Sequence, residues 1–402
     1  MVDILAAAPR AKPDSALRTL GSISVAHWVS HFHMLVLPLL FPYLKQQLGT
    51  GFVELGFALT VFAVVSGLTQ APIGYLVDRV GARGILIAGL CLGGAALIMI
   101  GLHPTYPWLI AGAALLGLAN AVYHPADYAI LSAHMDENRM GRAFSVHTFS
   151  GFLGGAMAPA IIAALVASVG GSATLIVAGA AGPLAALLLI VARLPDAKAK
   201  PRADDSAPPR ILTPAILMLT LFFALLSLSA SGISNFGVVA LMTGYGSSYA
   251  IANMALTAFL GASAVGVLAG GFLADRTERH SQLAAACFAL NAVVTLVIAL
   301  LPLPSWLLLT AMASAGFLGG VITPSRDMMV RAAAPPGGAG RAFGIVSTGF
   351  NVGGIIGPLL YGWIMDQAMP HWVFGASVLF ISLTVALAMV TDERRTSEPA
   401  RA

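Results

Sequence analysis

The chain has 402 residues, of which 58% are hydrophobic and 9% charged, with a net charge of +4 and a mean hydropathy of +0.87. Soluble domains carry about a quarter charged residues, so the composition excludes a string of water-soluble domains and indicates a polytopic membrane protein. The small positive excess, which in a soluble protein would hint at nucleic acid, bears here on membrane topology.

Residues 1–19 are polar and prolyl, and their apolar stretch is too short for a signal-peptide core, so no cleavage is expected. A membrane-crossing helix needs roughly 20 mostly apolar residues. Such runs fall at 20–44, 53–77, 85–102, 106–132, 141–167 and 172–193. Residues 194–210 then read LPDAKAKPRADDSAPPR, a charged, proline-rich linker. Six more runs follow at 211–241, 248–274, 282–301, 304–330, 340–366 and 371–391, and 392–402 is a polar tail. The predicted fold is all-α, with six-helix bundles over 20–193 and 211–391.

Lysine and arginine mark the cytoplasmic side. Arg10, Lys12 and Arg18 precede the first span, Arg79 and Arg83 follow the second, and Arg139 and Arg142 follow the fourth. Lys198, Lys200, Arg202 and Arg210 fill the linker; Arg276, Arg279, Arg331, Arg341, Arg394, Arg395 and Arg401 continue the pattern. The opposite loops hold only Lys45. Both termini and the linker are expected in the cytoplasm of a cell whose inner membrane the chain spans. Cys91 and Cys287 lie in apolar runs and read as buried thiols.

The two halves repeat. GRAFSVHTFSGFLGGAMAPAI (141–161) aligns without a gap on GRAFGIVSTGFNVGGIIGPLL (340–360), so Ser150, Gly154 and Ala158 match Gly349, Gly353 and Gly357. Small residues at this spacing let helices approach closely in lipid. GYLVDR (74–79) likewise matches GFLADR (271–276).

The stretch GYLVDRVGAR (74–83) resembles the loop signature of the major facilitator superfamily, and GGFLADRTER (270–279) resembles its weaker second copy. SISVAHWVSHFHMLVLPLLFPYL in span one, YHPADYA in span four and SGFLGGAMAP in span five resemble the fosmidomycin-resistance branch. Asp127 stands one residue later than the acid of that branch. The resemblance implies two pseudo-symmetric bundles around a central cavity lined by spans one, four, seven and ten, with alternating access. It also makes Gly74, Asp78, Arg79, Arg83, Asp275 and Arg276 candidates for a conformational latch. Two features depart from proton-driven antiporters of the superfamily: Ala113 replaces a span-four arginine, and Ala158 precedes Pro159, although Gly357-Pro358 is intact.

Ionisable residues at the centre of a membrane helix cost at least about 2.5–3.5 kcal/mol, so they are functional candidates. His27 and His31 are four apart and share a helical face, with His31 roughly 17 Å into the membrane. His31 is either a site of protonation or substrate contact, or a neutral histidine bonded between helices; His33, on another face, reads as structural. His124 and Asp127 share one side of span four, where an imidazole beside a carboxylate makes a proton-accepting pair. Against this, Asp127 could be a helix-end carboxylate reaching water. His147 reads as a packing residue. In the second half Arg326 aligns with Asp127 and is followed by Asp327. Arg326 could face Asp127 across the cavity as a gate, hold an anionic substrate group, or pair locally with Asp327. Tyr123 and Asn235 are candidate cavity residues.

No phosphate-binding loop, nucleophile elbow or zinc signature is present, so neither an enzyme nor a resident cofactor or metal is expected. The expectation is a monomeric, proton-coupled transporter exporting a small, anionic organic compound, with no nucleic-acid partner. Uptake of a carboxylate by proton symport, and a non-transporting scaffold or sensor on the same fold, are the alternatives.

Overall fold

Glycine and proline decide where the apolar runs stop. Gly49, Gly81, Gly170 and Gly246 have φ between 62° and 104° and end or separate helices, a conformation that costs glycine little. The computed structural model describes residues 13–135, 139–197, 212–274, 276–277, 280–334 and 339–397.

Among these, twelve helices are long and apolar enough to cross a membrane. Spans one to six are Pro13–Leu39, Phe52–Val80, Ala82–Leu102, Tyr106–His134, Met140–Val169 and Gly171–Val191. Span seven is Pro214–Tyr245, and spans eight to twelve are Tyr249–Ala274, His280–Leu300, Ser305–Ala333, Ala339–Asp366 and His371–Ser397. Two details differ from the sequence reading. Span one stops at Leu39, and a separate short helix, Phe41–Leu48, follows, because Pro42 opens a new first turn. Span seven contains one turn of π-helix, Gly232–Phe236. Cys91 is exposed on the outside of its bundle rather than buried.

Spans five and eleven occupy equivalent places. Span five packs on span one through Ser150, whose hydroxyl donates to the Ser24 carbonyl, and through Gly154, where an added Cβ would collide with the Trp28 carbonyl. Span eleven packs on span seven through Gly349, Gly353 and Gly357. Substituting Gly154 with leucine should force spans one and five apart, costing about 1–3 kcal/mol or more. Size-exclusion of the solubilised protein should show lost monodisperse yield, whereas Gly261→Leu, with no atom near its Cβ position, should leave it intact.

The halves meet unevenly. One large core joins residues of both, including Val36, Phe41, Phe236 and Tyr361, at the face opposite the central linker. Toward the linker face it divides into one core per half, around Ile23, Val77 and Ile130 and around Phe222, Ile322 and Val330. Inter-half bonds follow the same division: Tyr249 Oη donates to the Leu39 carbonyl at 2.8 Å and Thr60 Oγ1 to the Ile355 carbonyl at 2.8 Å. Leu68, Tyr75 and Leu76, on the linker-side half of span two, are exposed. The core that joins the two halves therefore lies at the far face, while toward the linker face each half has a core of its own.

Candidate functional site

Between the halves lies a cavity of about 330 Å³. Span one contributes His31, span two Leu59 and Phe62, span five Phe152, and span seven Ser227, Ser231, Ser234 and Asn235. The π turn of span seven carries Ser234 and Asn235; π turns recur at functional sites because they re-aim side chains within a helix. Asn235 Nδ2 donates to Ser231 Oγ at 3.1 Å. A second cavity of about 230 Å³, sharing Ala230, Ser234 and Leu260 with the first, extends into the carboxyl-terminal half and reaches Asn291 and Arg326.

Behind His31 the amino-terminal half buries a polar cluster. The His31 and His27 rings meet edge to face at 4.7 Å, and His27 stacks on His147 at 3.9 Å with planes 16° apart. His27 Nδ1–H donates to the His147 carbonyl at 2.9 Å. Beyond it, His147 Nε2 is 3.6 Å from Asp127 Oδ2, too long for a hydrogen bond. His124 completes the group, 5.5 Å from His27 ring to ring, and Tyr128 borders it, 6.0 Å from His147. Asp127 and His147 are fully buried. Both carboxyl oxygens, both nitrogens of His147, His27 Nε2 and His124 Nδ1 have no hydrogen-bond partner. Imidazoles therefore stand one after another between the cavity wall and a buried carboxyl, in ring contact and with no side-chain hydrogen bond between them.

Helix geometry explains the assembly. His27 and His31 stack along one face of span one, and His124 and Asp127 along one face of span four. Gly151 of span five lets the two span-one imidazoles approach: an added Cβ would stand 2.8 Å from an atom of each. Sequence reading assigned His147 to packing, yet it joins His27 to Asp127. One signal was present: the aligned residue of the second half is Val346, equally buried, so a histidine occupies a position where the repeat needs only an apolar side chain.

His27, Asp127 and His147 each bring a donor atom within 4.8 Å of the others. The two imidazoles are nearly parallel, however, so their in-plane lone pairs do not converge on one centre, as tetrahedral zinc with bonds of about 2.0–2.1 Å requires. The three side chains are thus a packed polar cluster rather than a tetrahedral ligand set.

The remaining sequence candidates are dispersed. Arg326 does not face Asp127: its Nε and Nη2 lie 2.9 and 2.8 Å from Asp327 Oδ1, and the guanidinium rests 4.7 Å over Phe223 and 5.3 Å from Phe350. The adjacent carboxylate supplies its partner, while Asp127 is enclosed in the other half. Tyr123 turns away from the cavity into the amino-terminal bundle, where its hydroxyl donates to the Gly89 carbonyl at 3.5 Å. His33 donates through Nε2 to the Ala178 carbonyl at 3.1 Å, a structural bond to span six. At the linker face, Asp78 and Arg79 are exposed, with Arg79 stacked 4.4 Å over Tyr75. Arg83 donates its backbone N–H to Asp196 at 3.0 Å, and Gly74 lies beside Pro125 of span four. Arg276 is exposed; Asp275 lies outside the described residues.

Comparison with known proteins gives a consistent picture. The family profile for the Major Facilitator Superfamily matches residues 23–243 and 217–402. The fosmidomycin resistance protein of Escherichia coli K12 is 28% identical over 289 residues, 68% of this chain and 69% of that one. The multi-drug resistance efflux pump PmrA of Streptococcus pneumoniae is 24% identical over 383 residues, 89% of this chain and 91% of that one. In structure, the chain is similar to a bacterial homologue of the human lysosomal transporter Spinster in an inward-facing, occupied conformation, with TM-score 0.81, 16% identity, and coverage of 98% and 100%.

Proposed function

The chain belongs to the Major Facilitator Superfamily, and from that premise we propose that it is a monomeric, proton-coupled antiporter that exports a small organic anion by alternating access. The linker face is assigned to the cytoplasm, because Arg18, Arg79, Arg83, Arg139, Arg142 and Arg276 cluster there while Lys45 stands alone opposite. In that orientation the observed state is open to the cytoplasm, and the exposed Asp78 and Arg79 are latch residues awaiting the alternative state.

The observation that carries the coupling is the buried Asp127 carboxyl, without a hydrogen-bond partner yet joined to the cavity by His147, His27 and His31. Burying an ionised carboxylate without partners costs several kcal/mol, and a proton removes that cost. In this state Asp127 carries the proton. Its ionised form is supported when a neighbouring imidazole takes the proton on toward the cavity. Substrate and proton thus use connected but separate places: the cavity holds the compound, and the cluster holds the proton. Arg326, above its aromatic floor, supplies the positive charge for a phosphonate or carboxylate, and the serines and Asn235 of span seven supply neutral hydrogen bonds. Resistance to fosmidomycin, named for the Escherichia coli relative, makes phosphonates the first class to test.

The test uses inside-out vesicles with an acidic lumen and a trapped pH dye, to which fosmidomycin and a panel of small phosphonates and carboxylates are added. Export by antiport should alkalinise the lumen on adding one class of compound. Arg326→Ala should raise the half-saturating concentration about tenfold or more, and for anions more than for neutral analogues. Acidification would assign symport instead. A lumen that never responds, while labelled compound still accumulates, would overturn proton coupling.

A further inference from the structure

Asp366 ends span eleven, in the carboxyl-terminal half, yet its carboxylate serves the other half. One oxygen accepts the backbone N–H of Phe52 at 2.8 Å and the other that of Val53 at 2.8 Å. Lys45 Nζ lies 3.6 Å from the same carboxylate and 4.2 Å over the Phe52 ring.

Phe52 and Val53 open span two. The first N–H groups of a helix find no partner within it, and the preceding residue commonly supplies one from its own side chain. Here that residue is Gly51, at φ −79° and ψ 177°, which has no side chain to offer. A Cβ at Gly51 would stand 2.8 Å from Asp366 Oδ2, so the glycine also leaves room for the foreign carboxylate. The cap of span two is thus provided from 314 residues away in sequence, across the interface between the halves. A negative charge at a helix amino terminus is favourable in its own right, and Lys45 fixes the carboxylate from the amino-terminal side.

We propose that Asp366 is the latch of the far face: by capping a helix of the opposite half it holds that face shut, and it lets go when the face opens. This rests on the alternating-access reading. An ordinary structural ion pair would support both states alike, whereas this bond bridges the surfaces that must part. Once the halves separate there, the carboxylate and the two N–H groups exchange one another for water.

The experiment measures the far-face separation directly. In a Cys91→Ser, Cys287→Ser background, nitroxide labels on Thr105→Cys and Ser305→Cys stand at the starts of spans four and ten, one in each half. Pulsed electron spin resonance then gives the distance distribution without substrate. Asp366→Asn and Asp366→Ala should raise the ratio of long to short separations about five- to tenfold, and Lys45→Met should do so less. Gly51→Ala, which displaces the carboxylate without removing its charge, should act in the same direction. Wild-type distributions in all four folded variants, even with lowered thermal stability, would overturn the latch. Because the readout needs no transport, a shifted distribution in a protein that moves no compound would uphold the latch and count against the transport reading. An unchanged distribution in an active transporter would remove the latch alone.

Discussion

Replacing Asp127 with asparagine should abolish proton-driven accumulation together with exchange of substrate across the membrane, while leaving a folded carrier. Asparagine has nearly the volume of the protonated acid and carries no charge, so the variant is held in the form that the buried site favours. In an antiporter the carrier crosses with substrate aboard only when deprotonated and crosses empty when protonated, so a carrier fixed in the protonated-like form should not exchange labelled compound by counterflow. What it loses is the loaded trip, which needs the ionised carboxyl. With roughly two pH units imposed, one proton exchanged per substrate supports accumulation of up to about a hundredfold; the variant's ratio should fall to about one. Folding should not suffer, because the carboxyl oxygens make no hydrogen bond that the amide would forfeit. Accumulation and luminal alkalinisation that persist in Asp127→Asn would remove this carboxyl from the coupling path. Counterflow that persists at wild-type rates while accumulation is lost would show a protonated, loaded carrier crossing, as symport requires, and would overturn the antiport reading.

Much of this arrangement was legible in the chain because membrane helices advertise themselves through length and hydropathy. The twelve runs, the repeat of 141–161 in 340–360 and the loop signature at 74–83 are all local patterns, and the fold follows from them. His27, His31, His124 and Asp127 stood out because ionisable side chains are costly in lipid, and the structure brings them together. What escaped the sequence was pairing between distant segments. His147 read as packing because nothing in span five shows which helix it meets; its stack on His27 arises from the close approach of spans one and five at Gly151 and Gly154. Of the readings that the sequence leaves open for Arg326, the structure shows the local pair with Asp327, because side-chain reach favours the adjacent carboxylate over one that only repeat symmetry would set opposite. Asp366 attracted no attention because a carboxylate at the end of a hydrophobic run usually faces water. Its partners are backbone N–H groups, which no residue type announces. The break of span one at Leu39 was also foreshadowed, by Pro38 and Pro42 lying inside an otherwise continuous apolar stretch.

That asymmetry between the halves leads to the second large effect. Exchanging His147 for valine, the residue that the aligned position carries as Val346, should leave the fold intact and still disconnect Asp127 from the cavity. Both positions are fully buried, and in the carboxyl-terminal half valine fills the place within a continuous apolar core. Neither ring nitrogen of His147 has a hydrogen-bond partner, and replacing a buried unsatisfied polar group with an apolar one is neutral or stabilising. Thermal stability of His147→Val should therefore match or exceed that of the wild type, the reverse of what a packing residue would give. Coupling should fail nonetheless, because the imidazole that lies 3.6 Å from Asp127 and 3.9 Å from His27 stands between the two. Substrate binding in the cavity should be unchanged, since His147 does not line it, so the affinity for labelled compound in equilibrium binding should stay at the wild-type value while luminal alkalinisation is lost. His27→Ala offers a check from the opposite side: it breaks the same chain one link nearer the cavity and should lose alkalinisation in the same way. A stable His147→Val protein that alkalinises the lumen normally would mean that protons reach Asp127 by another route, with His124 and the exposed edge of Tyr128 the next groups along span four. A destabilised one would return His147 to the packing role that its sequence first indicated.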